Sequence, residues 1–439
     1  MSSSIEPMPN PDDSRIVKWL TRPLSLRWCL VGWLCVVALM IAIGTLWGGP
    51  TPADAPAPDN TTWLIAHGNF GCAYPPVASV VYQTTAPLYP LISGALVAVA
   101  HIGHSLTFPS SAQLGTRCST SAAALYQWSF HSGALAPTLR LGYLSWLALL
   151  AGVVSVMRAF GKGGSRLEVM TMALVACLPS VYMPLLQFFH PEDLLATGLA
   201  LVGVAFVLRD RWLGAGLVLG LAVLSQQFTL LVLIPLLVVA PRTKLLKILG
   251  GTACSLALVG VPLLAITSGR AITSILVGTG DVGGSNISFY GIPLHNSLAL
   301  ASLRLIPIAL CALVAWWALG RLSVRTLEPV ALLSLLSLSL ALRLAFEVSL
   351  FGYYLMSVSV LLLLVEIALG RIKVMYLAWT GIATWATVGG GLVNHGTFAG
   401  VAVQVWQLLI VGGAVYLAAS PLLAITRYES QRETTTHLD

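Results

Sequence analysis

Long apolar segments separated by short polar stretches are the feature that most constrains how this chain can fold. They lie at 30–47, 141–157, 169–186, 194–208, 212–224, 228–239, 248–266, 298–319, 330–346, 353–369, 374–388 and 401–423. A segment crossing lipid must satisfy its backbone hydrogen bonds internally, which only helices and closed barrels achieve. Because 57% of the residues are hydrophobic and only 9% are charged, we predict an all-α polytopic membrane protein with about 12 transmembrane helices (10–13).

The range in the helix count comes from two short neighbouring segments, 212–224 and 228–239. Each is shorter than the ~20 residues that a complete crossing requires. They predict either two short crossings or a pair of half-helices that meet near the middle of the bilayer. In the second case Ser225, Gln226 and Gln227 form the junction.

The basic residues predict the orientation of these helices. Most of the 23 Lys and Arg stand in short clusters that bound alternate apolar segments: 15–27, 158–166, 209–211, 242–247, 321–325, 371–373 and 427–432. Such clusters accumulate on the cytoplasmic side of a membrane, so both termini are expected in the cytoplasm. The net charge of +7 is then explained by topology, and we exclude a nucleic-acid partner.

The predicted layout is a cytoplasmic tail (1–27), a single transmembrane domain (28–426) and a second cytoplasmic tail (427–439). Residues 1–14 and 427–439 are expected to be disordered. Residues 48–137 form a large extracytoplasmic loop that is rich in Pro, Ser and Thr. A crossing by its apolar run 88–100 would put the later basic clusters on the wrong side, so this run predicts an interfacial or re-entrant helix.

Two of the seven cysteines lie in polar sequence, and both belong to this outer loop. Cys72 and Cys118 therefore predict a disulfide in an oxidising compartment. The alternative is two unrelated free thiols. The other five cysteines lie within apolar segments, where a small buried thiol is expected.

Polar and charged side chains that could bind a ligand or take part in a reaction collect at the predicted outer ends of the helices. His190, Glu192 and Asp193 stand directly before the apolar segment 194–208. They either line a polar cavity or, for Asp193, stabilise the helix N-terminus. Arg304 and Arg343 lie inside apolar sequence, where an arginine costs roughly 2.5 kcal/mol or more, so each should face protein, water or an anion. For Arg343 the alternative is an ion pair with Glu347 at i+4.

Several segments resemble a known architecture in order along the chain. They are "DNTTWLIAHGNFGCAYPP" (59–76), "RLGYLSWLALLAGVVSVMRAFG" (140–161), "FHPEDLLATGLALVGVAFVLRDRWLGAGLVLGLAVLSQQFTLLVLIPLL" (189–237) and "LFGYYLMSVSVLLLL" (350–364). Residues 28–370 thereby resemble the GT-C superfamily of glycosyltransferases. Within it they look like the family-87 mannosyl- and arabinosyltransferases of bacterial cell envelopes, which use polyprenyl-phosphate sugars.

The resemblance implies a role for each outer residue. Asp59 would be the general base, with Asp54 as the second candidate, and the cavity would be lined by His190, Glu192, Asp193, Gln226, Gln227 and Glu347. A Lys commonly found in the family before the second half-helix is absent here, where Gln226 and Gln227 stand instead. The phosphate would then be bound by Arg343, Arg270 or Arg304, with His295, Tyr353 and Tyr354 nearby.

The implied function is inverting transfer of mannose or arabinose from a polyprenyl-phosphate donor. The acceptor would be an envelope glycan or glycolipid on the outer face of the plasma membrane. The reaction requires a carboxylate base and cations that stabilise the departing phosphate, and it requires no nucleotide. The scattered histidines do not predict a zinc site. A divalent cation is compatible with Asp59 or Asp281 but is not required.

Two other functions agree with parts of the same pattern. A transporter or flippase of a lipid-linked or anionic substrate would also use a broken helix pair and intramembrane arginines. A non-catalytic scaffold of an envelope-synthesis complex would explain the missing Lys. The enzyme is favoured because the polar outer loop suits a donor and an acceptor bound on one face, and because the halves of the chain show no inverted repeat.

Overall fold

The computed structural model describes residues 15–46, 56–73, 87–100, 128, 135–267, 297–321, 328–346, 352–370, 372–388 and 398–436. Throughout these ranges the regular secondary structure is helical, and the only extended pairing is a single bridge between Pro23 and Ser165. The prediction of an all-α protein is confirmed for the described part of the chain.

The helices that we number follow the apolar segments closely. They are α1 (Arg15–Leu20), α2 (Leu26–Leu46), α3 (Pro56–Ala66), α4 (Phe70–Ala73), α5 (Leu88–Val99), α6 (Leu135–Ala159), α7 (Arg166–Cys177), α8 (Pro179–Met183), α9 (Pro191–Leu208), α10 (Trp212–Ser225), α11 (Leu230–Val239), α12 (Arg242–Thr267), α13 (Ser297–Arg321), α14 (Pro329–Leu344), α15 (Gly352–Ala368), α16 (Val374–Val388) and α17 (Phe398–Thr436). A π-helical turn, Pro184–Phe188, follows α8, and a 3₁₀ turn, Gln227–Thr229, precedes α11.

Among the described residues, five helical stretches are long and apolar enough to cross a membrane, and a sixth is added if one bent pair counts as a crossing. The five are Leu26–Leu46, Thr138–Ala159, Pro191–Leu208, Arg242–Ile266 and Val405–Ile425. Seven shorter apolar helices accompany them. The multi-pass membrane class is supported, whereas the count of 12 and the GT-C fold stay predictions.

The predicted span 169–186 is not one straight helix. It breaks at Leu178, where α7 ends, and the axes on the two sides of the break differ by 57°. Pro179 follows the break, and the residue before a proline is pushed out of the helical conformation. Leu178 accordingly has an extended conformation, with ψ of 123°.

The C-terminal tail differs from the prediction as well. Helix α17 continues without interruption to Thr436, so most of the segment 427–439 is helical rather than disordered. Residues 1–14, for which disorder was also predicted, lie outside the described residues. The sequence beyond residue 426 is polar, which is why hydropathy ended the predicted span before the helix itself ends.

Helices α6 and α9 pack against each other through glycines. A Cβ atom at Gly152 would lie 2.4 Å from the carbonyl oxygen of Gly198, and one at Gly198 would lie 2.5 Å from that of Ala148. The two backbones are therefore in direct contact, as in membrane helix pairs joined through small residues. Helix α9 also packs against α10, and α10 packs against α12. This assembly fixes the N-terminal end of α9, where the polar cluster lies.

The predicted helix in the outer loop is present as α5, which packs lengthwise against α3. Thr62 and Ser93 share a hydrogen bond of 2.6 Å across this contact. Gly94 allows the close approach, because a Cβ atom there would lie 2.7 Å from the Ile65 side chain. The interfacial position of α5 in the membrane stays a prediction.

The basic clusters predicted for the cytoplasmic side form ion pairs with nearby acids. Arg158 and Glu168 approach to 3.2 Å, and Lys244 and Asp210 approach to 2.6 Å. Hydrogen bonding from Lys244, together with a smaller contribution from Trp212, lowers the pKa of the Asp210 carboxyl below its ordinary value. These contacts tie together helix ends that the positive-inside rule places on one face.

Candidate functional site

The segment before α9 holds His190 in a sharply bent backbone. The chain passes through the π-helical turn Pro184–Phe188, and Phe189 then adopts a left-handed conformation with φ of 62° and ψ of 65°. Such a conformation is costly for a bulky residue, and strain of this kind and π-helical turns are both frequent at functional sites. The Phe189 ring is buried against Gly142, where a Cβ atom would lie 2.8 Å from it.

His190 joins α9 to the start of α15. Its ring stacks on Tyr353 at a centroid distance of 4.1 Å, and its Nδ1 lies 3.2 Å from Glu192 Oε1. Tyr353 in turn contacts the Tyr354 ring at 4.5 Å. The predicted group of His190, Glu192 and the two tyrosines is thus brought together across more than 160 residues of sequence.

Asp193 lies beside the break between α10 and α11. Gln226, at the junction, is extended, with φ of −161°. The Gln226 side chain and the charges of His190 and Arg343 all act on the Asp193 carboxylate. Asp193 is 4% exposed and is not the N-cap, since His190 occupies the position before the helix. Asp193 lies in the first turn of α9, so its carboxylate faces a tertiary cluster and also stands where a negative charge stabilises the helix N-terminus.

Arg343, near the C-terminal end of α14, lies between two aromatic rings. Its guanidinium carbon is 5.1 Å from the ring centroid of Phe228 and 5.1 Å from that of Tyr354. Cation–π contacts of this kind orient the planar fork of an arginine. Arg343 thus presents a positive charge next to the helix break at Gln226. Glu347, its alternative partner, lies outside the described residues.

Asp59, the predicted base, is fully buried in the first turn of α3. Its Oδ1 accepts hydrogen bonds from Trp63 Nε1 at 3.0 Å and from the hydroxyl of Thr138 on α6. Trp63 is held by an edge-to-face contact with Trp128 at 5.4 Å. Two hydrogen bonds to one oxygen fix the orientation of the carboxylate.

Tyr89 connects Asp59 to the α9 cluster. It lies in the first turn of α5 and is 4% exposed. Burial raises the pKa of its hydroxyl most, and the negative charges of Glu192 and Asp59 raise this pKa further. Both carboxylates are therefore within electrostatic range of one phenol. The outer-loop acid and the acids of α9 belong to a single polar region.

Several predicted site residues cannot be placed. Asp54, Arg270, Asp281, His295 and Cys118 lie outside the described residues, and of Arg304 only the backbone in α13 is described. The free thiols of the described part are Cys29, Cys35, Cys177, Cys254 and Cys311. Cys72 is not among them, so its pairing with Cys118 stays a prediction.

The structure adds four residues that the sequence did not single out. Trp63 and Thr138 hold Asp59, Phe228 stacks on Arg343, and Tyr89 lies between the acids. A weak signal existed for Trp63, which stands at i+4 from Asp59. The other three come from distant segments, and only tertiary packing reveals their role.

A metal centre is not formed by the described residues, which contain no group of three His, Cys, Asp or Glu side chains that could hold an ion. Comparison of the chain with family models, curated proteins and solved structures finds no significant match. Function is therefore argued from the site itself.

Proposed function

We propose that the protein is a membrane glycosyltransferase that moves a sugar from a polyprenyl-phosphate donor to an envelope glycan or glycolipid. Mannose and arabinose are the sugars that the family resemblance favours. The reaction would take place on the outer face of the plasma membrane, the side to which the distribution of basic residues assigns the cluster. No nucleotide is needed, since the donor already carries a phosphate leaving group.

One observation carries this proposal. Buried carboxylates and an oriented arginine converge at the point where α10 and α11 break. Gln226 at this break and Arg343 both act on the Asp193 carboxylate, Arg343 lies over the Phe228 ring in the turn after the break, and Glu192 lies one position before Asp193. Buried acids and an arginine within apolar sequence are expensive in a membrane protein and mark sites for polar substrates. Sugar transfer from a phosphate requires a cation for the leaving group, the role proposed for Arg343, and a base, the role proposed for Asp59, which is linked to the α9 acids through Tyr89.

In the proposed reaction, an acceptor hydroxyl oxygen attacks the anomeric carbon of the donor sugar. The bond between that carbon and the phosphate oxygen breaks, and its electron pair leaves with the polyprenyl phosphate. The hydroxyl proton passes to Asp59, whose carboxylate is oriented by hydrogen bonds from Trp63 and Thr138. Attack opposite the leaving group inverts the anomeric configuration.

Arg343 would stabilise the charge that develops on the leaving phosphate. Its guanidinium is oriented by Phe228 and Tyr354, so little reorganisation is needed when the bond breaks. This role replaces the family-like Lys, whose place is taken by Gln226 and Gln227. The arginine fork is well suited to phosphate oxygens.

Transfer from radiolabelled polyprenyl-phosphate mannose and arabinose by the purified full-length chain tests the proposal. Asp59→Asn should reduce the rate by about 10²–10⁴-fold, the contribution of a general base. Asp54→Asn tests the second candidate in parallel. Asp210→Asn is the control, because Asp210 is an exposed carboxylate at the opposite end of α9. Absence of transfer from both donors by wild-type protein that binds them would refute the enzyme.

A transporter of a lipid-linked substrate is the second candidate, because the described residues contain two helix breaks. One follows α7, with a bend of 57°, and the other separates α10 from α11. Discontinuous helices that surround a polar site are characteristic of transporters. Movement of a fluorescent polyprenyl-phosphate sugar across liposomes containing the protein, without transfer to an acceptor, would favour this function.

A further inference from the structure

Among the buried side-chain polar atoms of the described residues that lack a hydrogen-bond partner, three lie on adjoining helices. They are Tyr89 Oη, Glu192 Oε2 and Ser225 Oγ, and their residues are at most 4% exposed. They belong to α5, α9 and α10, which pack against one another. A buried polar atom without a partner costs about 1–3 kcal/mol, so native proteins leave few of them. Three on adjoining helices indicate a binding site.

These groups lie close to the site described above. Glu192 acts electrostatically on the Tyr89 phenol, and its other oxygen, Oε1, faces His190 Nδ1 at 3.2 Å. Ser225 is the last residue of α10, which packs against both α9 and α5. We call the group formed by Tyr89, Glu192 and Ser225 the hydroxyl subsite.

From this chemistry we infer that the hydroxyl subsite binds the ring of a neutral sugar through its hydroxyl groups. Glu192 Oε2 requires a hydrogen-bond donor, and the Tyr89 and Ser225 hydroxyls can donate or accept. A sugar hydroxyl satisfies all three requirements. A phosphate fits poorly, because it offers mainly acceptors and would stand next to the negative charges of Glu192 and Asp193.

The phosphate of a donor would instead bind on the other side of Asp193. Arg343 lies there, between the rings of Phe228 and Tyr354. The inference rests on the proposed function for this division of one ligand between two subsites. In the inferred arrangement, the sugar of the donor lies toward α5 and its phosphate lies toward α14 and α15.

The test is equilibrium binding to the full-length chain in lipid nanodiscs, without turnover. The probes are the intact polyprenyl-phosphate mannose and arabinose donors, sugar-free polyprenyl phosphate, and methyl mannoside or methyl arabinofuranoside added with saturating donor. Glu192→Gln replaces the Oε2 acceptor by an amide donor, and Tyr89→Phe removes only the hydroxyl. Each should weaken binding of the sugar-bearing probe about tenfold, the scale of one buried hydrogen bond, and leave binding of sugar-free polyprenyl phosphate unchanged.

The probes also distinguish the two sources of the sugar. Weaker binding of the intact donor assigns the subsite to the donor sugar, whereas weaker binding of the methyl glycoside alone assigns it to the acceptor. Ser334→Ala is a control, because Ser334 is also a buried hydroxyl without a partner but lies nine positions, ~13 Å along α14, from Arg343. Tyr416→Phe, at a residue 57% exposed on α17, is the control for Tyr89→Phe.

Unchanged binding of every sugar-bearing probe by monodisperse Glu192→Gln and Tyr89→Phe proteins would overturn the subsite. An equal loss of sugar-free polyprenyl phosphate binding would overturn it as well, since the variants would then affect the phosphate. Sugar-dependent binding losses in a protein that transfers nothing would leave the subsite intact and refute the glycosyltransferase. Sugar transfer by the wild-type protein, together with unchanged binding in both variants, would support the glycosyltransferase and overturn the subsite.

Discussion

Replacing Gly198 by alanine should push α6 and α9 apart. A Cβ atom at this position would lie 2.5 Å from the Ala148 oxygen, 2.6 Å from its carbonyl carbon and 2.7 Å from Leu149 N. Ordinary contacts between carbon atoms are about 3.5–4.0 Å. The helices must therefore separate by roughly 1 Å, because the obstacles are backbone atoms that cannot rotate away. Overpacking of this kind costs about 1–3 kcal/mol.

The comparison with Gly250→Ala isolates the clash. Gly250 lies on α12, and a Cβ atom there would have no neighbour within 4 Å. Both substitutions gain the same helix propensity, about 1 kcal/mol, so the difference between their unfolding free energies measures the steric cost. Equilibrium unfolding of the purified chain in mixed micelles, followed by tryptophan fluorescence, is the assay.

The same substitution should affect the site. Gly198 lies five residues after Asp193 on α9, and Thr138, which holds Asp59, lies on α6. A displacement of about 1 Å between a base and the groups around it can reduce the rate about 10²-fold. Equal stability of Gly198→Ala and Gly250→Ala would refute the close contact between the two backbones, and with it the reason why these helices fix the cluster.

Three further results are expected. Arg343→Lys keeps the charge but loses two ring contacts worth about 0.5–1 kcal/mol each, so polyprenyl-phosphate binding should weaken about five- to thirtyfold in an equilibrium titration. Lys244→Ala should lower the unfolding midpoint at pH 7, and this effect should shrink as the pH falls below 3.8. The lowered pKa of Asp210 contributes stability above its ordinary value of 3.8, and this contribution is lost as the pH falls through the folded-state value. Cys72 and Cys118 should resist thiol labelling in the unfolded protein until a reductant is added, and labelling of both without reductant would exclude the disulfide.

Many helices and helix breaks could be predicted from the sequence, because hydropathy and the effect of proline on the backbone depend only on neighbouring residues. The predicted segment 374–388 coincides with α16, and the predicted junction at Gln226 is a backbone break. Hydropathy does not show the bend after Leu178, because it is continuous across 169–186, whereas Pro179 breaks the helix there. Hydropathy also does not show the polar end of α17, because a helix can continue beyond the last apolar residue of a segment.

The sequence alone determined the class of the protein, the helix break and the group of candidate residues. It did so through its apolar composition and the positions of its charged residues, because the cost of placing polar groups in lipid depends on the local sequence. Tertiary structure decided which of these residues share a site. It brought Arg343 to Asp193 and placed the Tyr89 hydroxyl near both Asp59 and Glu192. Contacts between residues so far apart in the chain depend on helix packing, such as the direct contact of α6 and α9 at Gly198, which has no signature in hydropathy.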